Sequence, residues 1–205
     1  MRLVVVRHGV TDWNVTGRMQ GRTDIPLNAE GRRQAEAVGR RLASEPIARI
    51  LSSPMSRALG TALPIASAHG LVPEVREDLH EAHMGLWEGL TWEEVAAQYS
   101  HQLAERDRVG PGYKGHEGES VLEVAARAAD LLMRIRDLPG TTCVVTHASP
   151  ARHLIAALTG EREHWKLRLR NVSVSILEDA RLLCLDDVSH LEVSPGVSEA
   201  FRHLG

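Results

Sequence analysis

The chain has 205 residues, 43% of them hydrophobic and 25% charged, with a formal net charge of -3. That length supports one domain with a sizeable core, and the charge balance carries no footprint for nucleic acid. Aromatic residues, at 3%, are too few for a base-stacking surface, and no apolar stretch approaches a membrane span.

The first element is Val4-Val5-Val6, an unbroken β-branched run leading into Arg7-His8-Gly9. Such a run favours a strand buried on both faces, as in a parallel sheet. Ligands of open α/β sheets bind outside the carboxyl ends of the strands, which is where Arg7 and His8 fall. A fixed fork of guanidinium donors suits an oxyanion, and a neutral imidazole beside it can be a nucleophile or base. Asp12 to Leu27 then reads as a long polar loop, and long loops are often functional. Asn28 caps a helix whose apolar Ala35, Val38 and Leu42 recur at helical spacing, with Pro46 stopping it. Ala48 to Leu51 predicts a second strand.

Ser52 to Ala58 reads as a strand-to-helix turn with Arg57 in the first helical turn, and the helix ends at Gly70. A helix N-terminus already favours anions, so a cation there is explained best by service to an anion. Val72 to Arg76 is a candidate third strand. Thr91-x-x-Glu94 and Ser120-x-x-Glu123 are capping boxes. Between them, the polar, glycine-rich Glu105 to Glu119 reads as a mobile flap. Behind the second box, Val121, Val124, Ala128, Leu131 and Ile135 share one helix face. Thr142 to Thr146 repeats the opening pattern, a buried strand meeting His147. A helix over Ala151 to Leu158 follows, then a hairpin of Val172–Leu177 and Leu182–Leu185, then a tail with no clear pattern. Strands alternating with helices predict a three-layer αβα sandwich on a mostly parallel sheet, with antiparallel strands at the end. Residues 1–205 read as a single domain with a flap or cap around 81–119. Cys143 and Cys184 sit far apart in strand-like runs, as two buried reduced thiols would. With only four apolar residues before Arg7, too few for a signal-peptide core, the expected location is the cytoplasm.

Five motifs now stand in one order. They are Arg7-His8-Gly9-x-Thr11-x-Trp13-Asn14 with Gly17-Arg18-x-Gln20-Gly21; Ser52-Ser53-x-x-x-Arg57-Ala58-x-x-Thr61-Ala62; Leu79-x-Glu81-x-x-x-Gly85-x-Trp87-Glu88-Gly89; Gly118-Glu119-Ser120; and Val145-Thr146-His147. The set resembles the histidine phosphatase superfamily in its phosphoglycerate-mutase-like branch, over the chain up to about Val174. The resemblance implies that His8 is the phosphorylated nucleophile. It implies that Arg7, Arg57 and His147 form the phosphate pocket, that Asn14, Gln20 and Gly21 add to it, and that Glu81 protonates the leaving oxygen. One departure is Ala148, where the family usually has glycine after the second histidine; the added methyl narrows the space beside the ligand.

The chemistry supports these roles independently. Hydrolysis of a phosphate monoester can require up to ~10²¹-fold acceleration. Fixed charges around the transferring group, plus positioning, must supply it. Two arginines and a histidine do so without metal or cofactor. The second nitrogen of His8 should be held by a backbone carbonyl, and burial or a neighbouring carboxylate such as Glu88 should favour protonated Glu81. His80-x-x-His83 lacks the four-residue helical spacing of a zinc motif and reads as pocket rim or surface. His69, His101, His153, His164, His190 and His203 read as structural or solvated. Arg106, Arg108 and Lys114 either solubilise the flap or attract an acidic substrate. Trp13, Trp87 and Trp92 read as packing residues.

The function expected is metal-independent hydrolysis of a small phosphorylated metabolite, with no nucleic-acid or membrane partner and, by family habit, a homodimer. One rival is a phosphoglycerate mutase. The family's mutases carry a basic insertion between the acid and the Gly-Glu-Ser motif, and here that interval is short. The other rival is a silent member that only binds a phospho-ligand, against which the full set of His8, Glu81, Arg7, Arg57 and His147 argues.

Overall fold

A computed structural model of the chain describes residues 1–161 and 167–191. His164, His203 and most of the C-terminal tail lie outside the described residues. Six strands, β1 (Arg2–Arg7), β2 (Ile47–Ser52), β3 (Glu74–Val75), β4 (Thr141–Thr146), β5 (Val174–Glu178) and β6 (Arg181–Asp187), form one sheet in the order β3-β2-β4-β1-β5-β6. β1, β2 and β3 run parallel to their neighbours around β4, while β5 and β6 are antiparallel.

The alternation of side chains along each strand fills two cores. Val4, Val6, Ile50, Cys143 and Val145 face helices α2 (Ala29–Leu42) and α3 (Ser56–His69), meeting Val38, Leu42, Ala58 and Ile65. Leu3, Val5, Leu51 and Val144 face α6 (Val121–Ile135) and α7 (Ala148–Thr159), meeting Leu131, Ile135, Leu154 and Ile155. Helices on both faces of a mostly parallel sheet give the three-layer sandwich that the sequence predicts. The helix signals hold as well. Asn28, Thr91 and Ser120 each cap a helix, and Gly70 ends α3 in the left-handed region.

Register decides where the chemistry lies. Arg7 pairs with Thr146 across β1 and β4, so His8 and His147 leave adjacent strands at the same level. Ser52 pairs with Val145, which brings Ser53 to that edge too. Because β5 is antiparallel to β1, with Val6 opposite Val174, the approach to β5 through Asn171 and Val172 reaches the same edge.

Four local expectations need correction. The segment after Val10 is not wholly irregular: α1 (Asp12–Val15) forms because Thr11 and Asn14 cap each other reciprocally. The expected flap is folded through much of its length. It begins within α5 (Ser100–Val109), and Tyr113 and His116 are buried, stacked on Trp87 with ring centroids 6.1 Å and 4.7 Å away. Together with Val95 of α4 (Trp92–Gln98), Trp87 and Tyr113 form a small third core. Polar composition hid this because it rests on two ring residues rather than a periodic apolar face. Val121 is exposed at the first position of α6, and Leu132 joins the buried face. Cys184 is only partly buried because β6 is an edge strand, whereas Cys143 is fully buried in the central strand.

Candidate active site

His8 continues the ladder of β1, its amide donating to the Thr146 carbonyl at 2.9 Å. Its ring Nδ1 lies 2.7 Å from the Gly9 carbonyl oxygen. Only a protonated Nδ1 can donate there, which leaves the Nε2 lone pair available. Burial, then the charges of Arg7 and Arg57, hold the His8 imidazole well below its usual value, so it is neutral at neutral pH.

Arg57 is fully buried at the start of α3. Its Nη1 and Nη2 donate to the Thr23 and Gly21 carbonyls at 2.9 and 2.7 Å, and its Nε to His147 Nδ1 at 3.2 Å. Three of five N–H donors are thus spent on protein. Since His147 Nδ1 accepts, its proton is on Nε2, which lies 2.8 Å from Ser53 Oγ and donates to it. His147 is neutral for the same reason as His8, burial first and neighbouring charge second. In this arrangement it fixes Arg57 and packs on His8, ring centroids 5.0 Å apart. Arg7 donates from Nη1 to the Leu169 carbonyl at 2.6 Å. Burial lowers its guanidinium to about 10, Glu81 opposing, so it stays cationic at neutral pH.

The Asn14 side-chain oxygen accepts from the Thr11 amide and hydroxyl, both at 3.1 Å, and from Asn171 Nδ2 at 3.3 Å. That fixes its amino group as the end left for a ligand. Gln20 is buried, and its Oε1 meets no partner among the described residues. Gly21 has φ +50, and a Cβ there would stand 2.1 Å from Glu88 Oε1. Ala148 is the first residue of α7 and is not in the left-handed region, so its methyl is accommodated. Glu81 Oε1 accepts from Ala82 N at 2.8 Å and from Ser149 N, in the first turn of α7, at 3.3 Å.

Glu88, which the sequence offers as a neighbour of Glu81, is hydrogen-bonded to other segments. Its oxygens accept from the backbone amides of Arg22, Thr23 and Met84 and from the Thr23 hydroxyl. His83 is partly exposed beside Glu88, and His80 faces the Glu77 carbonyl. The flap cations are paired with acids, Arg106 with Asp107, Arg108 with Glu105 and Lys114 with Glu123. Trp92 is half exposed beneath Arg106.

Several contributors escaped the sequence reading. Asn171 Nδ2 donates to the His8 carbonyl at 2.9 Å. Arg152 donates from Nε to the Leu167 carbonyl at 2.7 Å. Arg127 donates to the Asp78 and Glu81 carbonyls and pairs with Glu119, which also accepts from His83 N and pairs with Arg22. Ser53 stood in a motif but without a role. Glu119 likewise stood in a motif without a role, whereas Asn171, Arg127 and Arg152 carry no local signal, since each meets the site from a distant segment.

A family model of the histidine phosphatase superfamily (branch 1) matches residues 3–181. Glucosyl-3-phosphoglycerate phosphatase of Mycobacterium tuberculosis is 40% identical over 135 residues, 65% of this chain. The match spans about 60% of that relative's length. A solved structure of the mycobacterial glucosyl-3-phosphoglycerate phosphatase superposes with a TM-score of 0.80 at 32% identity, covering 90% of this chain and 98% of the other. Metal-independent phosphoserine phosphatase of Arabidopsis thaliana is 37% identical over 201 residues, 92% of this chain and 82% of the relative. A probable phosphoglycerate mutase of Escherichia coli is 32% identical over 220 aligned positions, 98% and 100% of the two chains.

Proposed function

The chain belongs to branch 1 of the histidine phosphatase superfamily, and we propose that it hydrolyses a small phosphorylated metabolite through phosphorylation of His8, without metal. The observation that carries this reading is the fixed tautomer of a neutral, buried His8 between two arginines. Its Nε2 attacks phosphorus as the ester P–O bond breaks. Arg7 and the remaining donors of Arg57, with the Asn14 amino group and Gln20, neutralise the phosphoryl oxygens. Glu81 gives its proton to the leaving oxygen. Water then attacks the phosphohistidine, Glu81 takes its proton, and the P–N bond breaks to return neutral His8 and inorganic phosphate. His147 acts through Arg57, whose Nε it accepts.

Hydrolysis is preferred to mutase chemistry on one observation. The cations of the Arg106–Lys114 stretch are matched by local acids, so among the described residues they do not make a second phosphate site over the pocket. We place residues 81–119 as a cap over the site. A buried free thiol at Cys143 suits a reducing compartment, the cytoplasm. The test is hydrolysis of an aryl phosphate in excess chelator by the native protein and by His8→Ala. Activity that survives chelation and vanishes with His8 is the expected result. Equal activity in both proteins overturns the reading.

A further inference from the structure

Leu169 to Val172, between α7 and β5, belongs to no helix or strand, yet it meets three residues of the pocket. The Leu169 carbonyl takes Arg7 Nη1 at 2.6 Å. Asn171 Nδ2 donates to the His8 carbonyl at 2.9 Å and to the Asn14 side-chain oxygen at 3.3 Å. The Val172 amide donates to the carbonyls of Arg7 and His8 at 3.0 and 3.3 Å. Val172 is fully buried at φ +51, a left-handed conformation that a β-branched residue holds only where its surroundings impose it.

The restraint comes from β6. Asp186 Oδ1 accepts from the Arg170 amide at 2.6 Å, its Oδ2 from Arg170 Nε at 2.7 Å, and its carbonyl from Arg170 Nη2 at 2.7 Å. Asp186 is itself left-handed, at φ +53, where β6 shifts register against β5 between the Val174–Asp187 and Ile176–Cys184 pairs. Such bulges re-aim side chains beside functional sites. Arg170 is exposed, so the ion pair contributes little by charge alone. Three bonds between two residues fix a position instead. The carboxylate is also a counter-charge to Arg7, whose guanidinium burial lowers to about 10 while Glu81 and Asp186 oppose the change. Charge and position therefore predict opposite effects at the pocket. Deleting a nearby acid tightens an anion site by charge alone, whereas releasing Arg7 loosens it.

We infer that Asp186 is a positioning residue: by clasping Arg170 it holds the Leu169–Val172 segment in the conformation that aims Arg7 and fixes the strand end carrying His8. The inference rests on the proposed phosphatase reading for the reaction that the pocket performs. Asp186 acts through Arg170 and takes no part in the bond changes.

The experiment measures inorganic phosphate binding by calorimetry and aryl phosphate turnover, both well below the melting temperature. It compares the native protein with Asp186→Ala, Asp186→Asn, Arg170→Ala and the two alanine substitutions combined. Asp186→Ala should weaken phosphate binding about tenfold and lower kcat/KM by about 10²-fold, as a displaced pocket group does. Asp186→Asn should recover part of both, since its side-chain oxygen can still take the Arg170 amide. The combined variant should be no worse than Asp186→Ala, because the two residues act through one contact. A lower melting temperature with phosphate affinity and KM unchanged makes Asp186 a stability residue and overturns the inference. Tighter phosphate binding in both Asp186 variants overturns it in favour of a charge effect. Single losses that multiply in the combined variant, or a native protein that binds no phosphate, overturn it as well. Dependence of aryl phosphate turnover on His8 judges the phosphatase reading separately; were that reading to fail, the phosphate affinities would still decide whether Asp186 holds the pocket.

Discussion

At the level of single residues, the arginines of the proposed phosphoryl pocket are tethered by backbone carbonyls, while the cations of the Arg106–Lys114 stretch pair with local acids. Arg57 is buried with its fork aimed by the Gly21 and Thr23 carbonyls, whereas Arg106 lies partly exposed over Trp92 and pairs with Asp107. Arg57→Ala should therefore cost at least about 10²–10³ in kcat, as the loss of a preorganised oxyanion donor does. Arg106→Ala should be close to native, and comparable losses in a side-by-side assay would contradict the assignment. Glu81→Gln should slow alkyl phosphates far more than aryl phosphates, whose leaving groups need less protonation. An equal effect on both series would remove Glu81 as the acid. Gly21→Ala puts a side chain at φ +50 against the Glu88 carboxylate and should lower stability by about 1–2 kcal/mol in a denaturant melt. Most of these residues were legible because each sits in a motif tied to a strand end or helix start. Asn171 and Arg152 were not, because their partners, the His8 and Leu167 carbonyls, are set by tertiary approach.

At the level of elements, two carboxylates join segments that the sequence leaves apart. Glu88 ties the turn at Arg22 and Thr23 to Met84. Glu119 ties Arg22, the His83 amide and Arg127 of α6. Arg127 in turn donates to the Glu81 carbonyl, so the backbone of the proposed acid is held from α6. Arg127→Ala leaves Glu119 without its main partner in a half-buried place and should cost about 2 kcal/mol of stability, less than a fully buried pair would. It should also depress alkyl phosphate turnover more than aryl, since Glu81 loses its anchor. A loss confined to thermal stability would show that the Glu81 backbone is held without Arg127. Here the sequence was a partial guide. The Ser120 cap and the α6 face were readable, but Glu119 looked only like part of a motif, and the Trp87–Tyr113–His116 stack looked like a flap.

At the level of the whole molecule, strand register carries the function: in-phase ends of β1, β4 and β2 bring His8, His147 and Ser53 to one edge. The fold itself was readable from alternation, since Leu3 and Val5 fill one core and Val4 and Val6 the other. The exact pairing was not, because register depends on contacts between strands far apart in sequence. Keeping two imidazoles neutral in the interior has a global consequence. Burial depresses both His8 and His147, so the unfolded chain binds protons more readily than the folded one. Stability from these groups is full above an unfolded imidazole value of about 6.5 and falls as pH drops below it, by up to about 1.4 kcal/mol per pH unit for each. Denaturant melts at falling pH should show that slope, and His8→Asn should make it shallower; an unchanged slope would mean that His8 is not held neutral. The central claim, that His8 takes the phosphoryl group, is met most directly by rapid mixing with an aryl phosphate, quenching in alkali and peptide mass spectrometry. A phosphoryl group on the peptide containing His8, appearing within the first turnover and disappearing as phosphate is released, is the predicted result. Steady turnover with His8 unmodified throughout would contradict it.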